Sequence, residues 1–591
     1  MMICPIKSFS QRRLPIATRT FLGQSARQLK SPIVVERATF RNYSSTVKEK
    51  EQFSKSGKKA KSFTGHYIGL GLFTVTASGL VFSEKFRNSA TEQVLTTERV
   101  GVVTVTLSKC IWMYSRTLNA NDNSEEEYRK ALSTTHKAAA ELTLKALQKN
   151  GGIYIKLGQH IGAMTYLLPF EWTETMVPLQ AACPESSLDD IKSMFASDFG
   201  IDLDDYFSSF DPKPIGVASL AQVHVATLRS TGEKVAIKFQ HPTLDRYVPL
   251  DVALTKSVFD MIYRVFPQYP LTWLSDELQE SIYVELDFRN EANNAQITDK
   301  YFKPYQKLTA LRIPQIYRAE RRILIMEYVG GARLDDLDYL DQHGISRSEV
   351  SCCLSHIFNN MIFQSGFVHC DPHHGNLAIR ASDRKVKGHN FEIILYDHGL
   401  YRVIPQEMKV DYSRFWLALI NKQQDQMKKY GTRFAKISDD QFPILAAALT
   451  GRDFDHASEG DVQSVRDEKE IEKMRESLVE NDLIFDLMSL LASVPRIVLL
   501  ILKTNDLTRH LDESLKNPLG AERTFLILAG YCAKTVYDDD VTINSKQRKH
   551  WSIDWIKGYF TAYANYYKIT LKLAVYDSML YVYNSRKAVS V

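Results

Sequence analysis

Asp371, Asn376 and Asp397 are the residues of this 591-residue chain whose types and spacing prescribe a chemistry most clearly. Asp371 and Asn376 stand in His369-Cys370-Asp371-Pro372-His373-His374-Gly375-Asn376. Asp397 opens Asp397-His398-Gly399, after the apolar run Ile393-Ile394-Leu395-Tyr396. A carboxylate, an amide five residues later and a second carboxylate before a glycine are hard oxygen donors that one loop and the next can set around a metal–phosphate cluster. In phosphoryl transfer the first Asp orients the acceptor hydroxyl, the Asn holds Mg²⁺, and the later Asp grips the metal that bridges the phosphates. A bare Asp-x-Gly carries little information; the ordered pair is specific.

Such a site needs a cation on an upstream strand and an acidic partner on a helix in between, the order protein kinases use. Val235-Ala236-Ile237-Lys238 supplies the cation inside a β-rich stretch, where Lys238 would neutralise phosphate charge. The stretch from Glu277 to Ala292 reads as one helix carrying Glu285, Asp287 and Glu291. Leu324 to Val329 reads as an apolar strand and hinge between two lobes, with Glu327 and Val329 as nucleotide contacts. A glycine-rich G-x-G-x-x-G loop is absent before Lys238, and no Walker-type loop occurs anywhere. Gly216, Val217, Ala218 and Ser219 occupy the phosphate-loop position, where Cβ atoms restrict backbone approach to a nucleotide. No A-P-E segment follows Asp397, so a peptide-docking platform is not visible.

These motifs, with Lys156-Leu157-Gly158-Gln159, resemble the UbiB family of atypical kinase-like proteins, also called the ABC1 or ADCK family. The family marks are a K-x-G-Q motif in a helical extension, an Ala-rich loop, an E-x-D motif and an H-x-D-P-H-x-G-N loop. Here they read Lys156 to Gln159, Gly216 to Ser219, Glu285-Leu286-Asp287 and His369 to Asn376, with Gly216 and Val217 where Ala is usual and His374 where Pro is commoner. The run Asp397 to Arg402 is most similar to the mitochondrial branch that contains fungal lipid-homeostasis members. The resemblance implies an α+β, two-lobe kinase-like fold whose K-x-G-Q helix packs over the cleft. Lys156 would then point at Glu285 and Asp287, with Gly158 and Gln159 in the same regulatory motif, and Glu291 would pair with Lys238. It further implies Mg²⁺ with ATP or ADP as cofactors, ATPase-like behaviour, and a lipid or isoprenoid client.

Residues 1–43 carry eight basic residues against Glu36, a net +7 that leaves the remainder of this +5 chain at −2. Arg-rich, hydroxyl-rich and acid-poor composition is that of a mitochondrial presequence, with cleavage expected after Tyr43. The basic character thus belongs to the address, and the body has no net-charge reason to bind nucleic acid. A basic linker (44–65) precedes an uncharged run, His66 to Phe82, long enough for one transmembrane helix at the short end of the range. The lysines before it place the N-terminus in the matrix. The body would then hang from the inner membrane and face the intermembrane space. The expected divisions are a helical extension at 95–205, an N-lobe at 206–330, a C-lobe at 331–540 and a helical tail at 541–591.

Seven cysteines without a C-x-x-C pair argue against a disulfide framework or a Cys-rich zinc module. Two other functions fit parts of the pattern. One is a nucleotide-gated lipid-binding scaffold without transfer chemistry. The other is a metal-dependent hydrolase built on His369, Asp371, His373, His374 and His398, which leaves Lys238 and Glu291 without a task.

Overall fold

The computed structural model of the protein describes residues 90–119, 124–163, 168–180, 185–267, 271–386, 388–450, 490, 493–517 and 521–589. The expected presequence, linker and span at 66–82 lie outside them, as does the polar segment 452–478. Among the described residues no helix is long and apolar enough to cross a membrane.

A helical extension comes first. α1 (Ala90–Leu118) buries Val100, Val103, Leu107 and Ile111, a three-to-four spacing that puts one apolar stripe against the body. α2 (Glu125–Asn150) starts at a capping box, in which the Ser124 hydroxyl accepts from the Glu127 N–H and the Glu127 carboxylate accepts from the Ser124 N–H. Two left-handed glycines, Gly151 (φ 63°) and Gly152 (φ 57°), turn the chain into α3 (Ile153–Ala163), the helix that carries Lys156. Near the corner, Arg99 of α1 donates to the carbonyl of Asn150 at 2.6 Å and to both carboxylate oxygens of Asp251. α4 (Leu188–Phe199) is N-capped by Ser187 and ends at the left-handed Gly200.

The upper sheet is antiparallel, in the order β1-β3-β4-β7-β6 with β2 on β3. Its first four strands are β1 (Phe207–Phe210), β2 (Gly216–Val217), β3 (Ala221–Leu228) and β4 (Lys234–Gln240). Then come α5 (Leu244–Val265), which holds Asp251, and two further helices, α6 (Thr272–Glu285) and α7 (Phe288–Phe302). The single helix expected across Glu277 to Ala292 is therefore two. Asp287 leaves helical geometry to cap α7, accepting from the Arg289 N–H, while Gln240 donates to the Leu286 carbonyl and the Phe288 N–H donates to Arg321 O. The end of β4 and the turn before β7 hold the break open.

β5 (Leu311–Arg312), β6 (Ile316–Ala319) and β7 (Ile323–Glu327) lead to the lower lobe. β7 is the apolar strand before the hinge that the sequence suggests. There, β8 (Ala332–Arg333) is followed by α8 (Arg347–Asn360), and β9 (Phe367–His369) leads into the Asp371 loop. β10 (Leu377–Val386) and β11 (His389–Leu395) form a hairpin flanked by β8 and β5, and β12 (Tyr401–Val403) pairs with β9. Helices α9 (Gln406–Ile420), α10 (Arg496–Ser514), α11 (Ala521–Gln547) and α12 (Ile553–Val589) complete the lobe. α10 begins at Pro495 and buries Val498 to Leu502, a core helix as its apolar run predicts. α11 runs through the expected boundary at 540/541.

Candidate functional site

The register of the upper sheet sets one edge of the site. Gly216 pairs with Val223, Val223 with Lys238 and Lys238 with Leu324, so the phosphate-loop position and the lysine lie in one row across the strands. From β4, Lys238 reaches the Glu291 carboxylate on α7 at 2.8 Å and the Asp397 carboxylate at 2.7 Å. Glu291 is nearly sealed, and burial pushes its carboxyl up to about 7 against the pull of Lys238. Burial opposes the charge on Lys238 too, but Asp397 and Glu291 outweigh it and hold the ammonium above the ordinary lysine value. Glu291 is therefore the member of the pair that titrates near neutrality. Asp397 is held well below the usual carboxylate range, because Lys238 and the Gly399 N–H, which donates to it at 2.9 Å, overcome burial.

Main-chain contacts staple the two acidic loops together. His369 pairs with Tyr401 across β9 and β12, and the Cys370 N–H donates to Leu400 O at 3.0 Å. The His369 ring donates from Nε2 to the Asp397 carbonyl and accepts at Nδ1 from the Asp371 N–H. Those two partners fix a neutral tautomer, which burial also favours. His398 donates from Nε2 to Leu395 O and accepts the Tyr401 hydroxyl at Nδ1. With both rings fully engaged, and His374 turned to Asp335, the hydrolase ligand set is dispersed. Among the described residues no group of three or more His, Cys, Asp and Glu is placed to hold a metal. Cys370 is buried packing.

Asp371 faces two ammonium groups. Lys503 of α10 stands 2.9 Å from one carboxylate oxygen, and Lys156 of α3 stands 4.0 Å from the other. Against burial, Lys503 and Lys156 hold Asp371 well below its ordinary range. Lys156 also meets Glu285 at 2.9 Å and, despite burial, is held protonated by Glu285 and Asp371. The K-x-G-Q lysine thus lies over the cleft. Only half of the expected E-x-D contact forms, because Asp287 is spent on its cap and on Arg289 at 2.7 Å. Asn376 donates its amide nitrogen to the Asp371 carbonyl at 2.9 Å, which leaves its oxygen as the end suited to a cation.

Other predicted residues make contacts within the protein. The Glu327 carboxylate is ion-paired with Arg312 and accepts from the Gln315 N–H, beside a cavity of about 380 Å³ lined by Gln296, Asp299 and Arg312 and not by Lys238, Asp371 or Asp397. Val329 is buried and its carbonyl accepts the Tyr396 hydroxyl. Ala218 accepts from His241 at its carbonyl, and Ser219 is buried while Gly216 is exposed. Gln159 donates to Leu179 O. A Cβ on Gly158 would lie 2.1 Å from Leu179 Cδ1 and 3.0 Å from Leu147 Cδ1. Gly158→Val should therefore cost about 1–3 kcal/mol by overpacking. Urea unfolding measures it, and an unchanged midpoint would show that Leu179 has room to move. Lys503 and Arg99 escaped sequence reasoning.

Two lobes, a lysine–glutamate pair joined to an Asp-x-Gly carboxylate, and a stapled catalytic-type loop define a kinase-like protein. Residues 178–431 match the ABC1 atypical kinase-like domain. The chain is 54% identical over 507 residues to the ABC1 family protein MCP2 of Saccharomyces cerevisiae, covering 85% of this chain and 89% of the relative. It is 45% identical to the MCP2 homolog of Schizosaccharomyces pombe (76% and 81% covered) and 36% identical to the mouse AarF domain-containing protein kinase 1 (74% and 82%). The chain belongs to the ABC1 family, also called UbiB or ADCK.

Proposed function

We propose that this protein is an atypical kinase or ATPase of the mitochondrial inner membrane that takes Mg–ATP or Mg–ADP in the cleft and supports lipid or coenzyme Q homeostasis. The observation that carries this reading is the contact of Lys238 with both Glu291 and Asp397, the arrangement a phosphate-binding lysine requires. The donor chemistry fits Mg²⁺, which prefers hard oxygens and takes much of its coordination from phosphates and water. Asn376 and Asp397 would hold it, and it would neutralise charge on the phosphates. Gly216 to Ser219 would cover those phosphates. Asp371, across the stapled loops, would orient or deprotonate the acceptor. The presequence composition supports the compartment, the apolar run at 66–82 supports the anchor, the lysines before that run support the intermembrane-space orientation of the body, and the family resemblance supports a lipid or isoprenoid client.

A second reading, the nucleotide-gated scaffold, draws on Asp371 itself. A carboxylate neutralised by Lys503 and Lys156 is a weak proton acceptor. Thermal denaturation with Mg–ATP and Mg–ADP tests the first reading, since ligand stabilisation grows as RT ln(1 + [L]/Kd), about 2.7 kcal/mol at 100 times Kd. A Mg-dependent shift that Asp397→Ala abolishes is expected, and no shift in the folded wild type would overturn nucleotide binding. Asp371→Asn should keep the shift and lose turnover. If it preserves biological function where Asp397→Asn destroys it, the scaffold is the better description.

A further inference from the structure

α12 has two apolar faces, and among the described residues only one is covered. Its inner face lies on α11. Ala562 and Leu573 are buried there, the Tyr566 ring sits 5.0 Å from Tyr537, and Asn544 donates to the Trp555 carbonyl. Gly558 marks the closest approach, since a Cβ there would collide with Asn544 and Arg548. The outer face carries Ile553, Ile556, Phe560, Tyr563, Tyr567, Leu571 and Val575, between 37% and 74% exposed. Steps of three and four residues keep them in one continuous stripe. From Ile553 to Met579 the stripe is about 39 Å long at ~1.5 Å per residue. Trp551, 76% exposed, stands at its head, tilted against His550 and Trp555, which stack on each other at 4.4 Å.

We infer that this stripe rests on the interface of an anionic bilayer, with α12 parallel to the surface. A solvent-facing apolar band of this length on a folded body marks an interaction surface. Its charge pattern selects the occupant. Lys557, Lys568 and Lys572 fall on one side of the stripe and are exposed, where their stems can lie along apolar surface while the ammonium groups meet lipid phosphates. Asp554 is the acid on that side, and Asp577 lies at the opposite margin, near Arg523. Tyr and Trp among the aliphatics suit the headgroup level, where a ring has one dry and one wet end. The helix cannot dip across the membrane, because its inner face is committed to α11. An antiparallel second copy on the same stripe would set the three lysines against their own counterparts. This docking surface is independent of the nucleotide reading and separate from the expected anchor at 66–82.

The test is photocrosslinking of the full-length protein to a lipid bearing a diazirine in its acyl chain, in phosphatidylcholine vesicles with and without phosphatidylglycerol. Adducts are mapped by mass spectrometry, which separates this helix from the anchor by sequence position. Adducts on Phe560, Tyr563, Tyr567 and Leu571 are expected, with higher yield when phosphatidylglycerol is present. The triple change Lys557→Gln, Lys568→Gln and Lys572→Gln should lower that yield about tenfold or more at low salt, with an unchanged melting temperature. Adducts confined to 66–82 would overturn the inference, and so would equal yields with and without anionic lipid. A crosslink joining residues 553–579 of two protein copies, without lipid adducts there, would assign the stripe to a dimer instead.

Discussion

Lys238→Met should destabilise the protein by about 3–5 kcal/mol at mildly alkaline pH, because it strands a buried carboxylate beside a second one. The Glu291 side chain is 4% exposed and has Asp397 as its other charged neighbour, so loss of the ammonium converts a bridged triad into like charges in low dielectric. The cost depends on pH, and its sign follows from linkage. Burial already lifts Glu291 to about 7 in the fold, above its ordinary 4.5. Between those values the folded state keeps a proton that the unfolded state has released, so this group's contribution falls as pH rises. Without Lys238 the folded value climbs further and the falling window extends upward. Melting temperatures of the variant should therefore keep falling above about pH 7, where this group's contribution in the wild type has levelled off. Adding Glu291→Gln should remove the extra slope. Parallel pH curves for wild type and variant would mean that Glu291 is solvated after all.

Arg99→Leu should cost a similar amount, about 3–5 kcal/mol, through a second buried pair outside the cleft. Asp251 is 1% exposed, and Arg99 both grips it bidentately and closes the end of α2 through Asn150 O. Burial raises Asp251 to about 6 even with that partner, so an orphaned Asp251 would be protonated or would open the site to water. Replacing both residues by leucine should recover much of the loss, since an apolar pair avoids the desolvation that the ion pair only partly offsets. Urea titrations of the two single variants and the double variant measure the coupling. Hydrogen exchange adds location: residues 153–163 should exchange faster in Arg99→Leu, because the extension carrying Lys156 loses its clamp. A loss below about 1 kcal/mol would place this pair among solvated ones.

The chemistry of the site was legible wherever a motif is local. Asp371, Asn376 and Asp397 announce themselves by order, and Lys238 by an apolar strand that ends in a charge. Glu291 was singled out from three acids only through the family resemblance, and the helix break explains why: Asp287 looks helical by composition but caps the next helix. Lys503 was illegible for another reason. It follows an apolar run as an ordinary helix residue, and its partner lies 132 residues earlier, a separation that no periodicity records. Arg99 and Asp251, 152 residues apart, share that difficulty. The side-chain partner of Glu327 was illegible too: it is Arg312, on a short strand of the other sheet, which no local pattern records.

The glycine corner at 151–152 makes the placement of charge over the cleft a matter of counting. Lys156 sits four residues past the turn, on the helix whose Gly158 packs against Leu147 and Leu179. One residue inserted between Gly152 and Lys156 would swing the ammonium about 100° around the axis and advance it about 1.5 Å. An aliphatic side chain, that of Ile155, would then confront Glu285. Changes in loop length are tolerated over much of a protein surface, but at this corner a single codon gained or lost would reverse the polarity of what the extension presents to the cleft.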